Sequence, residues 1–248
     1  MIYNKYLIGN SLDIKKIFEK KKFNKPNVII TSPPYFDVKN YNNDNQIGYG
    51  QGSYDQYLDD LYRVFSACYE ISDEKSSLWL IVDTFRRGGN IKPLPFDINT
   101  RLSQDIKGWK LREVIIWDKG KNVPWNGKGR LKNEFEYILF FVKNEDFTFN
   151  VDELREINDL KKWWIKYPER YNSKGKGPSN IWSAPPPLRG WGECYQNHLC
   201  PFPYSLVEKI ISISTNPGDL VFDPFTGSGT VLAVSKLMGR NSIGIDIN

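Results

Sequence analysis

The sequence predicts an α/β chain built on a doubly wound, mostly parallel sheet. Three observations carry this. Val28-Ile29-Ile30, Leu78-Trp79-Leu80-Ile81-Val82 and Leu220-Val221-Phe222 are short and continuously apolar. Such runs suit parallel strands covered on both faces. Between them lie segments with helical spacing, such as the stripe Tyr54, Tyr57, Leu58, Leu61, Val64, Phe65 and Cys68. Finally, Leu220–Asp223 runs into the glycine-rich Pro224-Phe225-Thr226-Gly227-Ser228-Gly229-Thr230 and then into a helical pattern ending near Met238-Gly239. Strand, glycine turn and helix form the nucleotide-binding start of a doubly wound sheet.

The remaining elements follow in chain order. Residues 11–22 read as a short helix before a strand at 28–31. Residues 36–53, rich in Asn, Asp and Gly, read as a loop ahead of the helix that starts near Tyr54. Gly88-Gly89, Pro93 and Pro95 mark a further loop, and 96–107 reads as a weaker helix. Val114–Trp117 and Tyr137–Val142 are two more strands. A basic, glycine-rich loop joins them, which predicts an antiparallel pair at the sheet edge. A helix at 204–215 precedes the strand ending at Asp223. Ser242–Asp246 is a last short strand ending in an acid.

Composition bounds the class. The chain has 248 residues, 40% hydrophobic and 25% charged, which fits one domain with an insertion. No apolar window of about eighteen residues is present, so no membrane span is expected. The N-terminus lacks an apolar signal core. Three cysteines, Cys68, Cys194 and Cys200, cannot all pair, and free thiols in a reducing cytoplasm are the expectation. A net charge of +5 favours a polyanionic partner.

Two turns carry the chemistry. Thr31-Ser32-Pro33-Pro34-Tyr35 stands where the strand at 28–31 should end. Its prolines have no N–H and hold a rigid turn. The groups left free are carbonyls, a Ser hydroxyl and an aromatic face. These suit the amino group of a flat ring. A plain proline turn closing a strand has the same appearance. In the turn at 223–230 the glycines let a ligand approach the backbone. The spacing is neither the dinucleotide fingerprint nor a P-loop. A carboxylate at Asp246 is placed to accept the two hydroxyls of a ribose.

Together these turns resemble the amino-group DNA methyltransferases that use S-adenosylmethionine. Ser32–Tyr35 matches that family's Ser/Asp/Asn-Pro-Pro-Tyr catalytic turn. Asp223–Thr230 matches its Asp-Pro-Phe-x-Gly-x-Gly-Thr cofactor turn. His198-x-x-Pro201-Phe202-Pro203, Asn180-Ile181-Trp182 and Ile47-Gly48-Tyr49-Gly50 are similar to further family segments. The catalytic turn comes first in the chain, an order that resembles the circularly permuted beta subgroup. The resemblance implies a Rossmann-like methyltransferase fold with a mostly parallel seven-stranded sheet and an antiparallel edge hairpin. It divides the chain into a catalytic part at 1–143, a target-recognition insertion at 144–190 and a cofactor-binding part at 191–248. Tyr6–Leu12 resembles the family's third strand and its cofactor-facing turn, with Asn10 where the family commonly has Asp. The helix that normally follows the second strand is not in these 248 residues.

What the resemblance implies for the site is specific. Ser32, Pro33, Pro34 and Tyr35 are the expected catalytic residues. The hydroxyl of Ser32 and the carbonyl of Pro33 would hold the two amino hydrogens, and Tyr35 would stack on the base. S-adenosylmethionine would be held by Asn10, Thr31, Phe202, Pro203, Asp223, Pro224, Phe225, Gly227, Ser228, Gly229, Thr230 and Asp246. A base within a duplex must be flipped out to reach such a pocket. Candidate DNA contacts are Phe36, Arg86 and Arg87, then Lys119, Lys121, Trp125, Lys128, Arg130 and Lys132 in one loop, and Lys174, Lys176 and Arg189 beyond. A solvated basic surface is the alternative for these charges. Within the family, Ser before Pro-Pro-Tyr goes with cytosine N4 and Asp or Asn with adenine N6, so cytosine N4 is expected and adenine N6 is the alternative. Duplex DNA is the partner. The resemblance leaves room for a homodimer and for a cognate restriction endonuclease.

Other chemistries fit less well. Methylation at ring C5 needs a thiolate in a Pro-Cys turn, and here Cys200 precedes Pro201. Cys194, His198 and Cys200 lack a fourth ligand nearby, so no metal is expected. An enzyme acting on RNA adenine or a protein glutamine usually has Asn before Pro-Pro-Tyr. A non-catalytic DNA-binding module would have no need of both intact turns.

Overall fold

The computed structural model describes residues 3–38, 40, 43, 45–50, 52–104, 108–120, 129–157, 165–186 and 202–248. Ten strands are described: β1 (Asn4–Ile8), β2 (Val28–Thr31), β3 (Ser77–Val82), β4 (Phe85–Arg87), β5 (Asn90–Lys92), β6 (Lys110–Asp118), β7 (Phe135–Val142), β8 (Ile181–Ser183), β9 (Leu220–Asp223) and β10 (Asn241–Asp246). The described α-helices are α1 (Ile14–Lys21), α2 (Tyr54–Ile71), α3 (Leu94–Leu102), α4 (Tyr204–Ser214) and α5 (Thr230–Leu237).

Eight strands form one sheet in the order β1-β10-β9-β2-β3-β7-β6-β8, and β4 and β5 form a separate hairpin. The run from β1 to β3 is parallel, β7 is antiparallel to both β3 and β6, and β8 is parallel to β6. The expected antiparallel pair is therefore β6–β7. The sheet has eight strands rather than seven because Ile181–Ser183 adds outside β6, so the pair is not the edge. Three residues flanked by loop are too short to read as a strand without the partner beside them.

The continuous apolar runs bury both faces, as a covered parallel sheet requires. Ile29, Leu78, Leu80, Val82, Phe222, Ile243 and Ile245 face one core with side chains of α1, α2 and α3. Val28, Ile30, Trp79, Ile81 and Val221 face the other with side chains of α4 and α5. Trp79 stacks on Phe140 at 4.2 Å between ring centres. The stripe on α2 is the buried one: Tyr57, Leu61, Val64, Phe65 and Cys68 are all covered. Ser53 caps this helix through its hydroxyl, which accepts the Gln56 N–H.

Two helix boundaries differ from the sequence reading. The first helix opens as a 3-10 turn at Ser11–Asp13 and becomes α1 at Ile14. The helix expected at 96–107 is α3, which starts at Leu94 and ends at Leu102. Pro95 sits in its first turn, where a missing N–H costs nothing, so it begins the helix rather than marking a loop.

The permuted order is visible in the sheet. The first strand of the chain pairs in parallel with the last, with Ile8 opposite Asp246. β2, which leads to Ser32, lies beside β9, which leads to the glycine turn. None of the described helices is long and apolar enough to cross a membrane.

Candidate active site at the carboxyl edge

The parallel strands β1, β10, β9, β2 and β3 all end on one side of the sheet, the side where open α/β sheets bind ligands. Thr31 at the end of β2 is fully buried, and its hydroxyl donates to the Asp223 carboxylate at 2.7 Å. This bond ties the two turns together. Of the turn itself, Pro33 is buried and Ser32, Pro34 and Tyr35 are half-buried. The Tyr57 hydroxyl donates to the Pro34 carbonyl at 2.8 Å. Among the described residues no hydrogen bond occupies the Ser32 hydroxyl or the Pro33 carbonyl. The two acceptors expected from the sequence are thus the two left free.

Tyr35 packs against the core beside α2, with Asp83 near its hydroxyl. Burial, then the charges of Glu136 and Asp83, push the phenol well above its ordinary value, so it stays neutral. Phe36 is only 4% exposed and packs on Tyr54 and Tyr57. It is not a DNA-facing ring in this arrangement: it braces the turn from beneath. Gly48 has φ of 79°, and a Cβ there would lie 2.5 Å from the Tyr57 ring. Its carbonyl accepts the Asp37 N–H at 2.6 Å. The Ile47–Gly50 segment therefore clamps the chain leaving the Ser32–Tyr35 turn.

The glycine turn is built into the sheet from three sides. The Asp223 carboxylate also accepts the Phe225 N–H at 3.0 Å. Burial pushes Asp223 up to about 7; the Thr31 and Phe225 bonds pull the other way, and the nearby Asp246 adds to the rise. Asp246 accepts the Gly227 N–H at 2.7 Å and the Asn248 N–H at 3.1 Å. Gly244 on β10 is needed because a Cβ there would meet the Thr226 hydroxyl at 2.1 Å. Gly229 has φ of 79° with nothing within 4 Å of a would-be Cβ, so the turn is open toward the edge. Pro224 is buried, Phe225 and Gly227 are half-buried, and Ser228 is exposed. The Ser228 and Thr230 hydroxyls are 3.1 Å apart at the start of α5.

Asn10 and Ser11 bring the N-terminal segment to this turn. The Ser11 hydroxyl donates to the Pro224 carbonyl at 2.5 Å, and the Gly9 N–H donates to the Asp246 carbonyl at 2.8 Å. The Asn10 amide oxygen is occupied by the Leu12 N–H at 2.9 Å, as the cap of the 3-10 turn. Pro203 is buried at the start of α4, and Phe202 is half-buried beside it. The short link 215–219 joins α4 to β9, so α4 begins at the carboxyl edge.

A polar cluster that the sequence reading did not single out lies next to Tyr35. Asp83 follows β3 directly and is 7% exposed. The Asn133 amide donates to it at 2.6 Å, and the Lys119 ammonium lies 3.9 Å away. Burial pushes Asp83 above the usual carboxylate range, with Asn133, Lys119 and Thr84 opposing. The signal for Asp83 was its position, the first polar residue after an apolar parallel strand.

Several expected DNA contacts are placed differently. Lys119 has a side chain only 15% exposed and pairs with Glu136 at 3.2 Å, so it belongs to the Asp83 cluster and not to a phosphate-facing loop. Lys132 pairs with Glu134 at 2.8 Å, and Lys174 pairs with Asp152 at 2.5 Å. Arg130 and Lys176 are exposed. Arg86 and Arg87 are exposed on the β4–β5 hairpin. Lys121, Trp125, Lys128, Arg189, Cys194, His198 and Cys200 lie outside the described residues. Among the described residues no group of three or more acidic, His or Cys side chains is placed to hold a metal, and Cys68 is a buried free thiol.

Comparison with known proteins agrees with this geometry. A DNA methylase family model, N6_N4_Mtase, matches residues 27–248. The Type II methyltransferase M.Cfr9I of Citrobacter freundii is 28% identical over 250 residues, covering 89% of this chain and 76% of that protein. The DNA adenine methyltransferase YhdJ of Escherichia coli K12 is 31% identical over 232 residues, covering 89% and 71%. Among solved structures, PvuII DNA methyltransferase (cytosine-N4-specific) superposes with a TM-score of 0.73 at 20% identity, covering 99% of this chain and 82% of that one. A DNA modification methylase of Thermus thermophilus, solved in complex with S-adenosyl-L-methionine, gives 0.64 at 26% identity, covering 99% and 88%. The chain belongs to the DNA methylase family, whose methyl donor is S-adenosylmethionine.

Proposed function

We propose that the chain methylates the exocyclic N4 of cytosine in duplex DNA, on a base flipped out of the helix. The observation that carries this is the 2.7 Å Thr31–Asp223 bond, which holds the Ser32–Tyr35 turn beside the Asp223–Thr230 turn. A group that receives a methyl and a group that donates one need that adjacency.

The residues of the second turn fit the donor. S-adenosylmethionine supplies a methyl group activated on a positively charged sulfonium. Asp246 gives the turn an acidic side chain that complements this charge. A carboxylate offers about four lone-pair sites, so Asp246, with two backbone N–H groups on it, keeps capacity for ribose hydroxyls. The open side at Gly229 admits a ligand to the backbone. Asn10, Phe202 and Pro203 border the same edge. The Asn10 amide can still donate where the family's Asp would accept.

At the first turn the Ser32 hydroxyl and the Pro33 carbonyl accept the two hydrogens of the amino group. Holding both draws the nitrogen lone pair out of ring conjugation and aims it at the donor. Alignment then carries most of the rate. Tyr35, packed against the core and half-buried, keeps part of its surface accessible for the base. The transfer would be direct, with no covalent link between enzyme and base: the N–C bond forms as the donor's S–C bond breaks, the sulfur leaves as a neutral thioether, and one amino proton is lost to solvent. In this reading 1–143 supplies the catalytic half, 144–190 target recognition and 191–248 the donor site.

The choice of base rests on Ser32, since within the family Ser at this place accompanies cytosine N4. The adenine N6 reading stays in view because YhdJ, at 31% identity, is an adenine methyltransferase. The kinship with M.Cfr9I supports a restriction-modification setting, with a cognate endonuclease acting on the same site and a homodimer as a further assembly. A labelled-methyl transfer assay on duplex DNA, RNA and protein tests the reading. Incorporation into duplex DNA alone is expected. Incorporation only into RNA or protein, or none, would overturn it.

A further inference from the structure

The β4–β5 hairpin stands apart from the main sheet, with Phe85 opposite Lys92, Arg86 opposite Ile91 and Arg87 opposite Asn90. It leaves the carboxyl end of β3 two residues after Asp83, so it rises beside the catalytic turn. Residues 85–92 carry Arg86, Arg87 and Lys92 and no acid. At the root, Phe85 is buried, with its ring 6.0 Å from Tyr54. At the tip, Gly88 and Gly89 have φ of 57° and 84°, and nothing lies within 4 Å of a would-be Cβ at either. The tip is thin and open.

Arg87 connects this hairpin to the chain leaving the catalytic turn. Its guanidinium lies 2.9 Å from the Asp37 carboxylate and 4.8 Å over the Phe36 ring. Phe36 directly follows Tyr35. Asp37 has φ of 50°, a left-handed conformation that Asp adopts more readily than most side chains. The ion pair is half-exposed, at 51% and 37%. Such a pair exchanges partners at little cost. A phosphate offers Arg87 the same two-pronged acceptor that Asp37 does.

We propose that the hairpin 85–92 grips the phosphate backbone of duplex DNA, and that Arg87, shared between Asp37 and a phosphate, couples DNA docking to the catalytic turn. The inference rests on reading the chain as a DNA methyltransferase. It adds a role for Asp37 as a positioning residue: it competes with DNA for Arg87 and tethers the turn while DNA is absent.

The test measures binding to mixed-sequence duplex DNA across a salt series, and single-turnover methyl transfer to the same DNA. Wild type is compared with Arg86→Gln, Arg87→Gln, Lys92→Gln and Asp37→Asn, with melting temperatures to confirm folding. Removing one cation from a phosphate should flatten the slope of log affinity against log salt by about 0.9. Arg87→Gln should also slow transfer. Asp37→Asn should tighten DNA binding, by no more than about fivefold given how little an exposed pair is worth, while lowering the transfer rate. Unchanged slopes in all three cation variants overturn the grip. An Asp37→Asn protein with wild-type affinity and rate overturns the coupling. Wild type that binds and methylates DNA while the variants match it sinks only this inference, whereas wild type that does neither sinks the enzyme reading with it.

Discussion

In the proposed reaction Ser32 serves the acceptor amine and Asp223 the donor turn. Ser32 contributes an uncommitted hydroxyl next to the uncommitted Pro33 carbonyl, so Ser32→Ala removes one of two acceptors without opening the core. Transfer should fall on the order of a hundredfold or more, the scale seen when one aligned hydrogen bond to a reacting group is deleted. Donor binding, measured by calorimetry, should be unchanged; equal loss of both would move Ser32 into the donor site. Asp223 is held by burial at about 7 against an ordinary value of 3.8. Between those values the folded protein keeps a proton that the unfolded chain has released. Stability without donor therefore falls as pH rises through that window. Asp223→Asn should remove this part of the fall, and a melting profile with the wild-type slope from about pH 4 to 7 would contradict the assignment. Neither the protonation of Asp223 nor the occupied state of Lys119 was legible from the sequence. Both depend on groups remote in sequence: burial in the sheet raises Asp223, against a bond from Thr31 192 residues before it, and Lys119 is held by Glu136, 17 residues after it.

At the scale of elements, the two glycines that matter most are those where another side chain already fills the space. Gly244→Ala forces a Cβ into Thr226 and lifts the glycine turn off β10. A loss of about 1–3 kcal/mol is expected, with donor affinity weakened in parallel. Chemical denaturation and calorimetry would check it, and wild-type values for both would refute the packing account. Gly48→Ala drives into Tyr57, whose hydroxyl holds the Pro34 carbonyl, so it should lower the transfer rate more than it lowers donor affinity. The long strands and α2 were readable because burial writes itself into the pattern of apolar residues. The β4–β5 hairpin was not, because its strands are three residues each and their faces mostly exposed. Gly88-Gly89 between two short polar stretches was the one available signal. β8 was hidden for the same reason, since only Trp182 of its three residues is buried.

Across the whole molecule, the pairing of β1 with β10 joins the chain's first and last described strands, and β2 beside β9 brings the two motif turns together. The relation between the turns was legible because each carries its own residue signature. The surface that meets DNA was much less so. Charge counts along a loop do not tell a phosphate contact from an internal ion pair, and Lys119 belongs to the second kind. The identity of the base depends on ring contacts around Ser32 and Tyr35 that no spacing encodes. The proposed reaction of the two turns is methyl transfer to cytosine N4. Mass analysis of nucleosides from duplex DNA incubated with the protein and S-adenosylmethionine tests it most directly. N4-methylcytosine is expected, much reduced when Ser32→Ala is used; N6-methyladenine, or no methylated nucleoside at all, would overturn the cytosine-N4 assignment.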